Sequence, residues 1–167
     1  KLALARKNGV DIGQSTVEEV QATYQFNDLT SFLAVYYPAM DVLQDEDDFH
    51  DLAAAYFERA RANGVVRAEC FFDPQAHTSR GIAIETVIRG YHRAVVEARE
   101  AGLSADLILC FLRDMSAQSA LETLQAALPY KDMFIGVGLD SDERDNPPTK
   151  FADVFALARE AGLHVTM

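Results

Sequence analysis

The chain has 167 residues, of which 15 are basic and 26 acidic, for a formal net charge of −11, and 49% are hydrophobic. This balance belongs to a folded chain with one domain, residues 1–167, and excludes a disordered one. The acidic excess argues against nucleic-acid and anionic-membrane partners, which need clustered Lys and Arg. No apolar run approaches the ~20 residues that cross a bilayer.

In chain order, residues 2–7 read as the end of an amphipathic helix without the apolar core of a signal peptide. Lys1 at the start and Met167 inside an apolar run read as the ends of an internal segment of a longer protein. Asn27-Asp28 is placed to cap a helix over residues 29–43, which Pro38 should kink or divide, and Asp45 to cap a second over residues 46–62. Apolar runs at 65–72, 107–112, 133–139 and 164–167 predict strands. They are nearly continuous rather than alternating, as strands buried on both faces read. Helical patterns at 85–101, 119–128 and 151–161 lie between them.

A repeat marks the helix ends. Ala5-Arg6-Lys7-Asn8-Gly9, Ala60-Arg61-Ala62-Asn63-Gly64, Ala98-Arg99-Glu100-Ala101-Gly102 and Ala158-Arg159-Glu160-Ala161-Gly162 each put a basic residue in the last turn and a glycine at the left-handed cap. Strand, helix and strand at this pitch mean parallel βαβ units, either an open doubly wound sheet or an arc of a barrel. No GxGxxG or Walker A sequence follows a strand, so the nucleotide folds lose their main support. The long helical stretch ahead of the first strand fits a partial (β/α)8 TIM barrel with an inserted helical cap.

Function in such folds sits at the carboxyl ends of the strands. The loop after residue 72 offers Asp73, His77 and Arg80, which equally suit a capped helix entry. Arg113-Asp114-Met115-Ser116 follows the second strand. The third loop holds Asp140, Asp142, Glu143 and Asp145, either a solvated acidic loop or a site facing a bound ring, with Gly136 and Gly138 there for close approach to a ligand. His50, His77, His92 and His164 form no HxH or HxxxH pair, so the segment carries no metal signature, and His50 and His92 read as solvated. Cys70 and Cys110 read as reduced core thiols of a cytoplasmic protein.

Phe71-Phe72-Asp73-Pro74-Gln75, His77-Thr78 and Arg80-Gly81-Ile82 closely resemble the loop after the second strand in the adenine deaminase branch of the adenosine and adenine deaminase family, within the amidohydrolase superfamily. Gly136-Val137-Gly138-Leu139-Asp140-Ser141-Asp142-Glu143 with Pro147-Pro148-Thr149-Lys150-Phe151 resembles the loop after its fourth strand. Asn27-Asp28-Leu29-Thr30-Ser31-Phe32-Leu33 with Tyr36-Tyr37 is similar to its helix over the pocket mouth.

The resemblance implies part of a zinc-dependent hydrolase that converts adenine to hypoxanthine and ammonia, with a purine base as substrate and a homo-oligomer as a possible assembly. It implies that the zinc ligands and the catalytic acid lie on flanking sequence, so that this chain holds no catalytic residue and His164 is not a ligand. It assigns the substrate-binding wall to Leu29, Phe32, Leu33, Tyr36 and Phe71, with Ser141 offering a backbone amide to a ring nitrogen between Asp140 and Glu143. Two other readings stand beside it. One is a deaminase of adenosine or N6-modified adenine; the other is a non-catalytic purine-binding relative without the metal site.

Overall fold

The computed structural model describes residues 1–166. These divide into two compact units, residues 1–44 and the residues from 45 onward. The first unit is helical: α1 (Leu2–Asn8), α2 (Val17–Ala22), α3 (Leu29–Tyr36) and a 3-10 helix over Pro38–Val42. Asp28 Oδ1 accepts the Ser31 N–H at 2.8 Å, and Ser31 Oγ accepts the Asp28 N–H at 3.1 Å, which fixes the start of α3. Pro38 divides the expected helix, because α3 ends at Tyr36 and the tighter turn begins at the proline. The short α2 was not expected, and Thr16 with Glu19 supplies its capping box.

In the second unit the order is α4 (Glu46–Ala62), β1 (Arg67–Phe72), α5 (Gln75–Thr78), α6 (Ile84–Glu100), β2 (Ser104–Leu112), α7 (Ala117–Ala127), β3 (Gly136–Asp140), α8 (Ala152–Glu160) and β4 (His164–Val165). All pairings are parallel and the strand order is β1-β2-β3-β4. Consecutive order with right-handed crossovers puts every helix on one side of the sheet. That is the arrangement of a barrel arc rather than of a doubly wound sheet, whose strand order reverses. The expected strand at 164–167 is seen as β4, with Met167 outside the described residues. The glycines of the four repeats adopt left-handed φ of 64°, 79°, 89° and 80° at Gly9, Gly64, Gly102 and Gly162.

The two faces of β1 show the layering. Ala68 and Phe72 are buried, and the Phe72 ring lies 5.6 Å from Tyr91 of α6, so this parity faces the helices. Arg67, Glu69 and Phe71 face the other way and are exposed, Phe71 at 54%. On that inner face Arg67 pairs with Glu69 at 2.6 Å and Asp106 at 3.0 Å. Gly136 and Gly138 do not open space for a ligand. A Cβ on Gly136 would lie 2.8 Å from the His164 carbonyl oxygen, and one on Gly138 would lie 2.9 Å from Cys110 Sγ. They are glycines because the adjacent strands fill the space above them.

The tightest helix contact is between α4 and α6. A Cβ at Gly90 would meet the Glu46 carbonyl oxygen at 2.5 Å and Phe49 Cβ at 2.7 Å. Arg93 closes the same contact through Glu46 at 3.1 Å and Asp47 at 2.6 Å. His50, expected in solvent, is only 16% exposed and bonds Glu97 at 2.8 Å and Asp51 at 3.0 Å. His92, also expected in solvent, is half-buried, and that burial lowers its pKa from the ordinary value. Cys110 is buried and Cys70 half-buried, both as free thiols. No helix among the described residues is long and apolar enough to cross a membrane.

Because backbone at Glu46 cannot move aside as a flexible side chain does, Gly90→Ala should destabilise the protein by about 1–3 kcal/mol. Urea unfolding measures this directly, and an unchanged midpoint would contradict the close-contact account.

Candidate functional site

The inner-face parity of β1 continues past the strand to Asp73. The parallel register sets Cys110 opposite Gly138 and Leu112 opposite Asp140. The ligand atoms of Asp73, Cys110 and Asp140 thereby come within 4.8 Å of one another at the carboxyl ends of β1, β2 and β3. Burial, then the charge and hydrogen bond of Asp140, push the Asp73 carboxyl up to about 8. At neutral pH the two carboxyls hold a proton between them. Asp73 Oδ1 is buried and receives no hydrogen bond from a donor group among the described residues, so that proton is what offsets its burial.

Asp73, Cys110 and Asp140 are also the one group of three possible metal ligands among the described residues. A zinc site would need a thiolate. Burial, then the charges of Asp140 and Asp73, raise the Cys110 thiol far above its usual range, and its Sγ is packed over Gly138. The trio does not fit the zinc site that the resemblance implies.

The loop after β3 begins with Ser141 at φ 76°, and Asp145 follows at φ 60°, both in the left-handed region that non-glycine residues seldom occupy. Ser141 Oγ is buried with no hydrogen bond among the described residues. Asp142 Oδ1 accepts the Arg144 N–H at 3.0 Å, and Asn146 Nδ2 donates to the carbonyls of Asp142 and Arg144 at 3.1 and 2.9 Å. Arg113, at the end of β2, is 7% exposed and donates from Nε and Nη2 to the Asn146 carbonyl at 3.0 and 2.9 Å. Its Nη2 is also 3.2 Å from Glu143. The acidic loop is an ordered structure organised around one buried cation.

The loop after β1 contains the single turn α5. Gln75, 2% exposed, accepts the Leu112 N–H at 2.8 Å and donates to Ser119 Oγ at 2.7 Å, satisfying the last amide of β2. His77 is buried with its ring 4.8 Å from that of Phe49, and Arg80 Nη2 is 3.1 Å from its Nδ1. Burial and the nearby guanidinium push His77 down to about 4, so it is neutral near pH 7. Asp73 leaves this loop for the site, whereas His77 and Arg80 hold the loop itself.

The expected site residues fall in both units. In the first, Phe32 and Tyr36 stack at 5.2 Å on α3, and Phe26 meets Phe32 edge-on at 5.1 Å. Leu29 is 45% exposed, Leu33 half-buried, and no residue of α3 fully buried. In the second, Asp140 and Ser141 adjoin Asp73, Phe71 lies one inner-face position before it, and Glu143 is drawn to Arg113. Asp73 was read with His77 and Arg80 as either a candidate or a capped helix entry, and Arg113 only as the start of the second strand-end loop; neither was assigned to the substrate-binding wall. Inner-face alternation from Arg67 onward was a signal for Asp73, while nothing local marked Arg113.

The adenosine deaminase family profile matches residues 2–167. The chain is 56% identical over 163 residues to an adenine deaminase of Geotalea uraniireducens, covering 97% of this chain and 46% of that protein. The solved structure of an adenine deaminase from Arthrobacter aurescens superposes with a TM-score of 0.94 at 49% identity, over 98% of this chain and 50% of that one. An amidohydrolase structure from Burkholderia ambifaria with bound Zn gives a TM-score of 0.79 at 29% identity, over 98% and 45% of the two chains. The chain thus spans about half the length of the relatives it matches.

The raised Asp73 carboxyl binds its proton more tightly in the folded than in the unfolded state, so it lowers stability as pH rises from the ordinary carboxylate range to about 8. Asp73→Asn keeps a neutral donor toward Asp140 and removes that loss. The variant's stability relative to wild type should therefore grow between pH 5 and pH 9, by on the order of 3 kcal/mol. Paired urea titrations at the two pH values measure it; a difference independent of pH would contradict the shared proton.

Proposed function

This chain belongs to the adenosine deaminase family, and we propose that it forms the purine-facing part of a hydrolase that deaminates adenine to hypoxanthine and ammonia. Residues 1–167 count as a single, incomplete barrel domain, with its first unit as the inserted helical cap. The metal is zinc, as in the Burkholderia relative, and is held by residues outside this chain.

One observation carries the choice of a free base: the half-buried Asp73–Asp140 pair, with its buried Asp73 Oδ1, beside Ser141 at the strand ends. The one proton of the pair lies between the two carboxyls, so their remaining oxygens are acceptors; with the Ser141 N–H as donor they suit the ring edge of a neutral purine. The rim also carries Asp142 and Glu143. Its cation Arg113 already bonds Asn146 and Glu143, and Lys150 Nζ donates to the Arg113 carbonyl at 2.8 Å. A phosphate brought to this rim would meet clustered acidic side chains, with Arg113 and Lys150 already engaged and Arg144 as the exposed cation among them, which disfavours a nucleotide substrate.

Within this reading each group has a task. The Ser141 N–H donates to a ring nitrogen, Asp140 and Glu143 flank it, and Phe71 packs against apolar ring surface. Leu29, Phe32, Leu33 and Tyr36 of the first unit supply the apolar wall that the family resemblance assigns to them. The residues here bind and orient, and the proton transfers and water activation belong to groups outside this chain.

The test is turnover by the full-length protein, followed as ammonia release from adenine, adenosine, N6-methyladenine and AMP. Adenine should be preferred by about 100-fold or more, since a site built for a ring edge rejects analogues that leave buried polar groups unpaired. A preference for AMP or adenosine would contradict the base-specific reading.

A further inference from the structure

We propose that Arg113 is a positioning residue of this site: it holds the loop at 141–150 in the one conformation that turns the Ser141 amide toward the purine ring. The proposal rests on the deaminase reading above and adds to it a residue that does not touch the ring.

Arg113 grips the loop along its whole length. Its backbone N–H donates to the Asp140 carbonyl at 2.9 Å, where the loop leaves β3. Its guanidinium meets the middle of the loop at Asn146 and Glu143. Its carbonyl accepts from Lys150 Nζ at 2.8 Å, where the loop ends, and the same ammonium reaches Asn146 Oδ1 at 2.8 Å. The segment between these anchors contains the two left-handed non-glycine residues, Ser141 and Asp145. Such backbone persists only where surrounding contacts over-determine it. Arg113 and Lys150 are the contacts available to do so, because the other hydrogen bonds of this loop among the described residues, from Asn146 Nδ2, from the Asn146 and Lys150 amides and to Asp142, are internal to it.

Burial sharpens the effect. With 8% of its side chain exposed, Arg113 cannot exchange its loop partners for water without moving out of the fold. Two parallel donors on one carbonyl define an orientation as well as a distance, which a lysine's single ammonium does not reproduce. Loss of the fork frees Ser141 to relax toward ordinary backbone geometry, and its N–H then turns away from the ring. A misplacement of about 1 Å at such a contact reduces rate by about 100-fold.

The experiment uses the full-length protein and compares adenine with a set of deaza-adenines, each with one ring nitrogen replaced by C–H. In the wild type, the analogue lacking the acceptor for Ser141 should be turned over far more slowly than adenine. In Arg113→Met, kcat/KM for adenine should fall about 10- to 100-fold, while that analogue is little affected, so the discrimination disappears. Arg113→Lys should fall between the two. Lys150→Met removes the strap from the half-buried side and should show the same pattern more weakly, which keeps the test valid if Arg113→Met does not fold. Equal losses on adenine and every analogue would overturn the positioning role and leave the deaminase reading intact. A wild-type protein that deaminates no purine would overturn both.

Discussion

The second unit depends on the parallel pairing of β2 with β1 on one side and β3 on the other. Because the three strands run in phase, their side chains alternate together, and a position on one strand decides which residues of its neighbours share its face. A register slip of one residue on β3 would turn Asp140 toward the helices and separate it from Asp73. Gln75 completes this arrangement by accepting the last amide of β2, and Arg113 by donating its own amide to the end of β3. The site is thus a consequence of strand register, with two side-chain and main-chain hydrogen bonds fixing where the strands stop.

Charge at this rim is managed by two different devices. The Asp73 carboxyl lies against Asp140 and is pushed up to about 8 by desolvation and by that neighbour, so it keeps its proton near pH 7. Glu143 is met by Arg113, whose guanidinium also donates to the Asn146 carbonyl. The result is an ordered rim in which acidic side chains outnumber basic ones. The net charge of −11 points the same way at the scale of the whole chain.

Much of the fold was legible in the chain. The four Ala-Arg helix ends located the left-handed glycines, and three of them the strands that follow, because a C-cap glycine and a basic last turn are local features of a helix end. Pro38 divided its helix as its missing N–H demands. The family resemblance pointed to the strand-end loops, and Asp140 and Ser141 lie there. What escaped was non-local. The short α2 has its capping box, Thr16-x-x-Glu19, in plain view, but no apolar periodicity behind it. Gly136 and Gly138 are required by neighbouring strands, and spacing along one strand cannot reveal that. His50 lies between two carboxylates, one adjacent and one on another helix, which its place near a helix start does not show. Arg113 was placed in its strand-end loop but its role was hidden for the same reason: the partners of its guanidinium, Asn146 and Glu143, lie on another loop.

The central claim is that a purine base is read at the strand ends by Ser141 and the Asp73–Asp140 pair. The most direct measurement is the crystal structure of the full-length protein with hypoxanthine bound. The account predicts ring atoms at hydrogen-bond distance, about 3 Å, from the Ser141 amide nitrogen and from a carboxyl oxygen of Asp73 or Asp140. A ring bound elsewhere, with Ser141 and both carboxyls out of reach, would contradict it.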